Sequence, residues 1–235
     1  MIRSSESSAV RIIRVLGADR YTPAAMLCPA PACRAALSYY EWDSTVVSAF
    51  QELLRHVERS ACGSMNGQLT IRFQREDWWA DSRLRLHPYA EQEVQTAQRK
   101  LIKARIAATP SAIVGRLTFG FWVSLLGRGR DYETQLWRPA LSRAFPRYHG
   151  PRVPVHTELD QLRELRNHLS HPDDTPVSTR DLKSAHESVY RVVGWVCRDT
   201  ADWLRTVDRV PAILAARPDP CAGACIPPQR RGSNP

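Results

Sequence analysis

The chain has 235 residues, 43% of them hydrophobic, with 33 basic against 24 acidic side chains and a formal net charge of +9. That length suits one helical domain with appendages or at most two small ones, and the apolar share excludes global disorder. No run reaches the ~20 uncharged apolar residues of a membrane span, and the N-terminal MIRSSESSAVRIIRVLGADR lacks the ~7–15-residue apolar centre of a secretory signal, so a cytoplasmic protein with no membrane partner is expected. Residues 1–34 read as an irregular segment, with prolines at 23, 29 and 31. A strong helix is predicted from Ala35 to Cys62, because Val46, Val47, Phe50, Leu53, Leu54 and Val57 recur at three- and four-residue steps. Gly63 and Gly67 then predict its break.

Ile71 to Pro88, with Trp78 and Trp79, reads as a connector, and Tyr89 to Ala108 as a polar helix. Thr109-Pro110 supplies an N-cap and a proline at the first helical position, opening a helix that is expected to run to Gly127. Another is predicted over Tyr132–Phe145, stopped by Pro146, and a further one over Val155–Ser170. A turn, His171-Pro-Asp-Asp-Thr-Pro176, follows it. Ser178-Thr-Arg-Asp181 is a variant capping box for a long last helix through Leu182, Val189, Val193, Val196 and Trp203. With no strand pattern and no repeat, an all-α fold is expected as one helical domain over 35–207. Residues 208–235 are expected as a tail, disordered in composition from Arg217 onward.

Arginine far outnumbers lysine, and a basic balance favours polyanion partners through counterion release and bidentate phosphate contacts. Arg128 to Arg152, with six arginines against two acids, is the stretch best suited to face a polyanion, with a solvated basic face as the equal alternative. Cys28/Cys33 and Cys221/Cys225 have C-x4-C and C-x3-C spacing with no histidine at ligand distance, so neither a zinc site nor any other cofactor is expected.

The informative stretch is Leu162-Arg-Glu-Leu-Arg166-Asn167-His168-Leu-Ser-His171-Pro172. At about 100° per residue, Leu159, Leu162, Leu165 and Leu169 form one stripe, and Arg166 falls inside it. A charge there must be paired or must open onto a site or an interface. His171 lies about 140° further round, but Pro172 pushes the residue before it out of helical geometry and allows the ring to fold back. Asn167, four residues earlier, is placed to orient that ring. A histidine near its working pKa and an arginine with fixed donors are what RNA cleavage needs, a base for the ribose 2′-hydroxyl and a cation for the phosphate, although the bare spacing is read more simply as a polar cluster at a helix end.

Arg-Asn-x-x-x-His at the end of an amphipathic helix resembles the R-x4–6-H signature of HEPN ribonucleases. The likeness extends over residues 16–205 to the Abi-like abortive-infection family. Leu16 to Tyr21 (LGADRY) is similar to that family's opening, Tyr39-Tyr-Glu-Trp42-Asp to its L-Y-x-W-N segment, and His56-Val-Glu58 to the glutamate on its first long helix. Leu117-Thr-Phe-Gly-Phe-Trp122 resembles its F-G-F-W block, and Leu136-Trp-Arg-Pro139 with Ala144-Phe-Pro the helix after it. The first helix departs from the family's E-V-x-L-R-N by reading Glu58-Arg-Ser-Ala-Cys62-Gly63, and Pro172-Asp-Asp replaces its histidine, glutamate and proline.

The resemblance implies a HEPN-like bundle with peripheral helices and a metal-independent endoribonuclease acting in phage defence. Arg166, Asn167 and His171 would be catalytic, with Glu58 supporting them. It also implies RNA as substrate, a homodimer whose Arg166 stripe forms the subunit interface, and an antitoxin or regulatory RNA as a further partner. A non-catalytic RNA-binding or protein-interaction module on the same scaffold is the reading that stays open beside it.

Overall fold

The computed structural model describes residues 11–12, 15–16, 34–129, 131–170 and 180–218. Among these every regular element is helical, so the fold is all-α. In chain order the elements are α1 (Arg34–Phe73), a 3-10 turn (Trp78–Ala80), α2 (Pro88–Lys103), α3 (Pro110–Val114) and α4 (Phe119–Ser124). A π-helical turn (Glu133–Trp137) and a second 3-10 turn (Leu141–Ala144) lead to α5 (Arg152–Ser170), α6 (Leu182–Val196), α7 (Arg198–Val207) and α8 (Val210–Ala215). No helix of the described residues is long and apolar enough to cross a membrane.

The chain forms two compact units, one of residues 1–50, 168–182 and 209–235, the other of residues 51–167 and 183–208. In the first, Tyr39, Trp42, Val46, Ala49 and Phe50 are the buried positions of the N-terminal part of α1. The Trp42 indole donates to the Ile213 carbonyl at 2.7 Å. The Arg217 guanidinium lies 5.4 Å from the Trp42 ring and donates to the Tyr39 hydroxyl at 3.2 Å. The start of the expected tail is therefore ordered: α8 and Arg217 satisfy the polar edges of the two aromatics at the head of α1.

In the second unit, Leu53, Leu54, Val57, Ala61, Met65, Leu69 and Phe73 continue the buried stripe of α1. Gly63 and Gly67 do not break it. Both are exposed with nothing within 4 Å of where a Cβ would stand, so they lie opposite the stripe. Each costs roughly 1 kcal/mol relative to alanine, less than the burial of Met65 or Leu69 supplies at about 1.5–3 kcal/mol per side chain.

Other boundaries also move. α2 ends at Lys103, earlier than expected, because Arg105 adopts φ 56° and Ile106 N–H closes back onto the Leu101 carbonyl at 3.0 Å. Thr109 caps α3 as predicted, but a second cap, Thr118, accepts from Phe121 N–H and restarts the chain as α4, so no single helix spans 110–127. Over 132–145 the expected α-helix is a π turn and a 3-10 turn, set up by Asp131 at φ 54° and closed by Arg138 N–H on the Glu133 carbonyl at 3.0 Å. The wider turn buries Tyr132, Leu136 and Trp137 together. The long last helix is interrupted at Cys197, whose extended backbone (φ −156°, ψ 123°) separates α6 from α7. Ser178 of its expected capping box lies outside the described residues.

The connector is the aromatic centre of this unit. Trp78 is fully buried against Phe121 and Trp122, with ring centroids at 6.2 and 6.0 Å, and its indole donates to the Asn66 side chain of α1 at 2.9 Å. Gly120 lets α4 approach closely, since a Cβ there would meet the Tyr89 hydroxyl at 3.1 Å and the Arg163 stem at 3.7 Å. These contacts position α5.

Candidate functional site

α5 carries Val155, Leu159, Leu162, Leu165 and Leu169 to the interior, each no more than 6% exposed. Arg166 lies on that stripe, as its spacing predicts, and is half-buried. The leucines are already covered within the chain, so the stripe is not free to serve as a subunit interface. This corrects the expectation built on Arg166. Inside the unit its charge reaches Glu58 on α1.

Glu58 is half-buried, and removal from water raises its carboxyl above the usual 4.5 while Arg166 pulls it back down. Desolvation is the larger effect, so the carboxyl holds its proton more tightly than an exposed glutamate despite the neighbouring cation. One turn on, burial and the Glu58 charge push the Cys62 thiol well above its usual 9.0. Cys62 is thus held as a neutral thiol and is not a nucleophile. Nothing in the sequence pattern singled it out beyond its i+4 spacing from Glu58.

Asn167 is the next residue on α5 and is exposed, about 100° around the helix from Arg166. His171 and Pro172 lie outside the described residues, as do Cys28, Cys33, Cys221 and Cys225. The site therefore brings together Arg166 and Glu58, adds Cys62, and leaves Asn167 on the neighbouring outward face. His168, the motif's other histidine, is 8% exposed and belongs to the interior.

No family model matches the chain, and no curated protein or solved structure matches it.

Three of the six arginines between Arg128 and Arg152 are committed to structure. Arg152, 14% exposed, bridges Glu133 at 3.1 Å and donates to the Leu126 carbonyl at 2.5 Å and to the Gly127 carbonyl. It thereby closes the C-terminal end of α4. Arg138 also pairs with Glu133, at 3.2 Å, and both cations hold that carboxyl below its usual value. Arg143 donates to the Pro139 carbonyl at 2.8 Å. Arg163, one turn before Arg166, is taken by Asp160 at 2.7 Å. Arg166, by contrast, closes no ion pair among the described residues and acts on Glu58 through its charge. A guanidinium has a planar fork of donors that suits the oxygens of a phosphate.

Proposed function

We propose that this chain is a metal-independent endoribonuclease of the HEPN type that acts in abortive infection, as a homodimer. The observation that carries the reading is Arg166 itself, a half-buried cation on an apolar helix stripe, whose charge acts on the carboxyl of Glu58. Perturbed acids with a specific charge partner cluster at functional sites.

In the proposed reaction a base removes the proton of a ribose 2′-hydroxyl. The 2′-oxygen bonds to the adjacent phosphorus, the bond from phosphorus to the 5′-oxygen breaks, and the leaving oxygen takes up a proton. A 2′,3′-cyclic phosphate and a 5′-hydroxyl end result. Arg166 lends its planar fork to the phosphate oxygens on which charge builds. His171 serves as base or acid, and Glu58 is the second group able to hold a proton near the reacting phosphate. Asn167 orients His171. The dimer and the defence role follow the family resemblance, with an antitoxin or regulatory RNA as the controlling partner.

The test is cleavage of single-stranded RNA by the full chain in the presence of EDTA, with the product ends identified. His171→Ala is expected to lose ~10²–10⁴-fold, the usual contribution of positioned proton transfer. Arg166→Lys, which keeps the charge but not the fork, is expected to be strongly impaired, and Asn167→Ala less so. Folded His171→Ala that cuts as well as the parent would make the chain a non-catalytic RNA-binding or interaction module.

A further inference from the structure

The outward face of α1 carries a hollow of about 580 Å3 lined by Gln51, Glu52, Arg55, His56 and Arg59. Arg55 and Arg59 are exposed and four residues apart, so they stand one above the other along the helix. Among the described residues neither closes an ion pair, whereas Glu52, in the same hollow, already has a partner. At the hollow's edge the His56 ring meets Trp203 of α7 edge-on, with centroids at 5.2 Å and planes at 85°. Trp203 is 49% exposed, an uncommon state for the largest apolar side chain.

The order of these groups around α1 follows from helix geometry. Glu58, and with it Arg166, lies about 60° to one side of Arg55, and His56, with Trp203, about 60° to the other side of Arg59. The arginine row therefore separates the candidate reaction centre from an exposed aromatic platform. We propose that this face is the docking track for single-stranded RNA, with phosphates on Arg55 and Arg59, one unstacked base on Trp203, and the strand continuing past Glu58 to Arg166. Cations beside an exposed indole fit a strand whose bases are unpaired, because a duplex keeps its ring faces stacked inside. A second copy of this chain fits less well, since a molecule of net charge +9 would bring like charge to the same row. The inference rests on RNA as the ligand of the Arg166 site but not on its cleavage.

A fluorescein-labelled 2′-O-methyl oligoribonucleotide, which has no 2′-hydroxyl and cannot be cut by the proposed route, separates docking from chemistry. Its binding to the full chain is read by anisotropy over a salt series. Arg55→Ala with Arg59→Ala should weaken binding and flatten the slope of log K against log salt by about 1.4, two phosphates at ~0.7 each. Trp203→Ala should weaken binding roughly 5- to 150-fold, the range for one lost base stack, and Trp203→Phe by less. A parent that binds this probe yet cuts no natural RNA overturns the ribonuclease reading and supports the track. Folded variants that bind like the parent overturn the track. So does a Trp203→Ala chain that falls to monomers with unchanged affinity, which would make this face a contact between copies.

Discussion

At Glu58, burial and a neighbouring cation act against each other, and burial has the larger effect on its carboxyl. A carboxyl whose folded proton affinity is raised is accommodated best when protonated, so its cost is absent below the unfolded pKa near 4.5 and grows as pH rises through the folded value. Glu58→Gln is therefore expected to melt above the parent at neutral pH, with the gap closing toward pH 4, while RNA cleavage falls. Thermal unfolding over a pH series checks this, and a variant less stable than the parent at pH 7 would mean that the Arg166 attraction dominates. The two described free cysteines give a second contrast. Cys62 is held as a thiol by burial and the Glu58 charge, whereas Cys197, at the head of α7, has its pKa lowered by the Thr200 hydroxyl and amide. Iodoacetamide at neutral pH should modify Cys197 well before Cys62, as peptide mapping by mass spectrometry would show.

The helices show what a single sequence reveals about elements and what it conceals. Caps built from one residue and its immediate neighbours were readable, as at Thr109-Pro110, because the hydroxyl and the fixed proline φ act locally. The end of α1 was not, because two exposed glycines cost the helix less than its buried stripe supplies, and that stripe is satisfied by residues distant in sequence. Thr118 and the π turn were missed for a related reason. An apolar run such as Leu117–Leu126 has too many buried positions for its period to reveal a restart. The residual helix cost at the glycines makes a quantitative prediction. Since a Cβ at either position meets nothing within 4 Å, Gly63→Ala and Gly67→Ala should each stabilise the protein by about 0.5–1 kcal/mol, near-additively. Chemical denaturation reads this as a raised midpoint at unchanged slope. Destabilisation by either alanine would show that the outward face of α1 is covered by something a methyl group disturbs.

At the scale of the molecule, Arg166 was legible as an anomaly because a charge on a leucine stripe violates the pattern around it, whereas its partner Glu58, more than a hundred positions away, came only from the family resemblance. The expected use of the stripe as a subunit interface does not survive, since Leu159 and Leu162 are each 1% exposed within the chain. A dimer that joins two copies of α5 must then use its outer face. There Val153, 64% exposed, and Asn167, also exposed, lie within about 40° of one another around the helix axis. Pairing two such faces in parallel, with the two-fold axis running along α5, would bury both valines and bring Asn167 of each copy toward the other's motif, without displacing the leucines. The expected solution mass at tens of micromolar is then twice 26.6 kDa by light scattering. Val153→Asp should place like charges across the two-fold axis and yield a folded monomer, because an exposed position tolerates the carboxylate while a symmetric contact repeats it. If the cleft is shared, cleavage should fall in proportion to the loss of dimer and return at higher protein concentration. A monomeric Val153→Asp chain that cuts RNA at the parent's rate would show that each subunit carries a complete site.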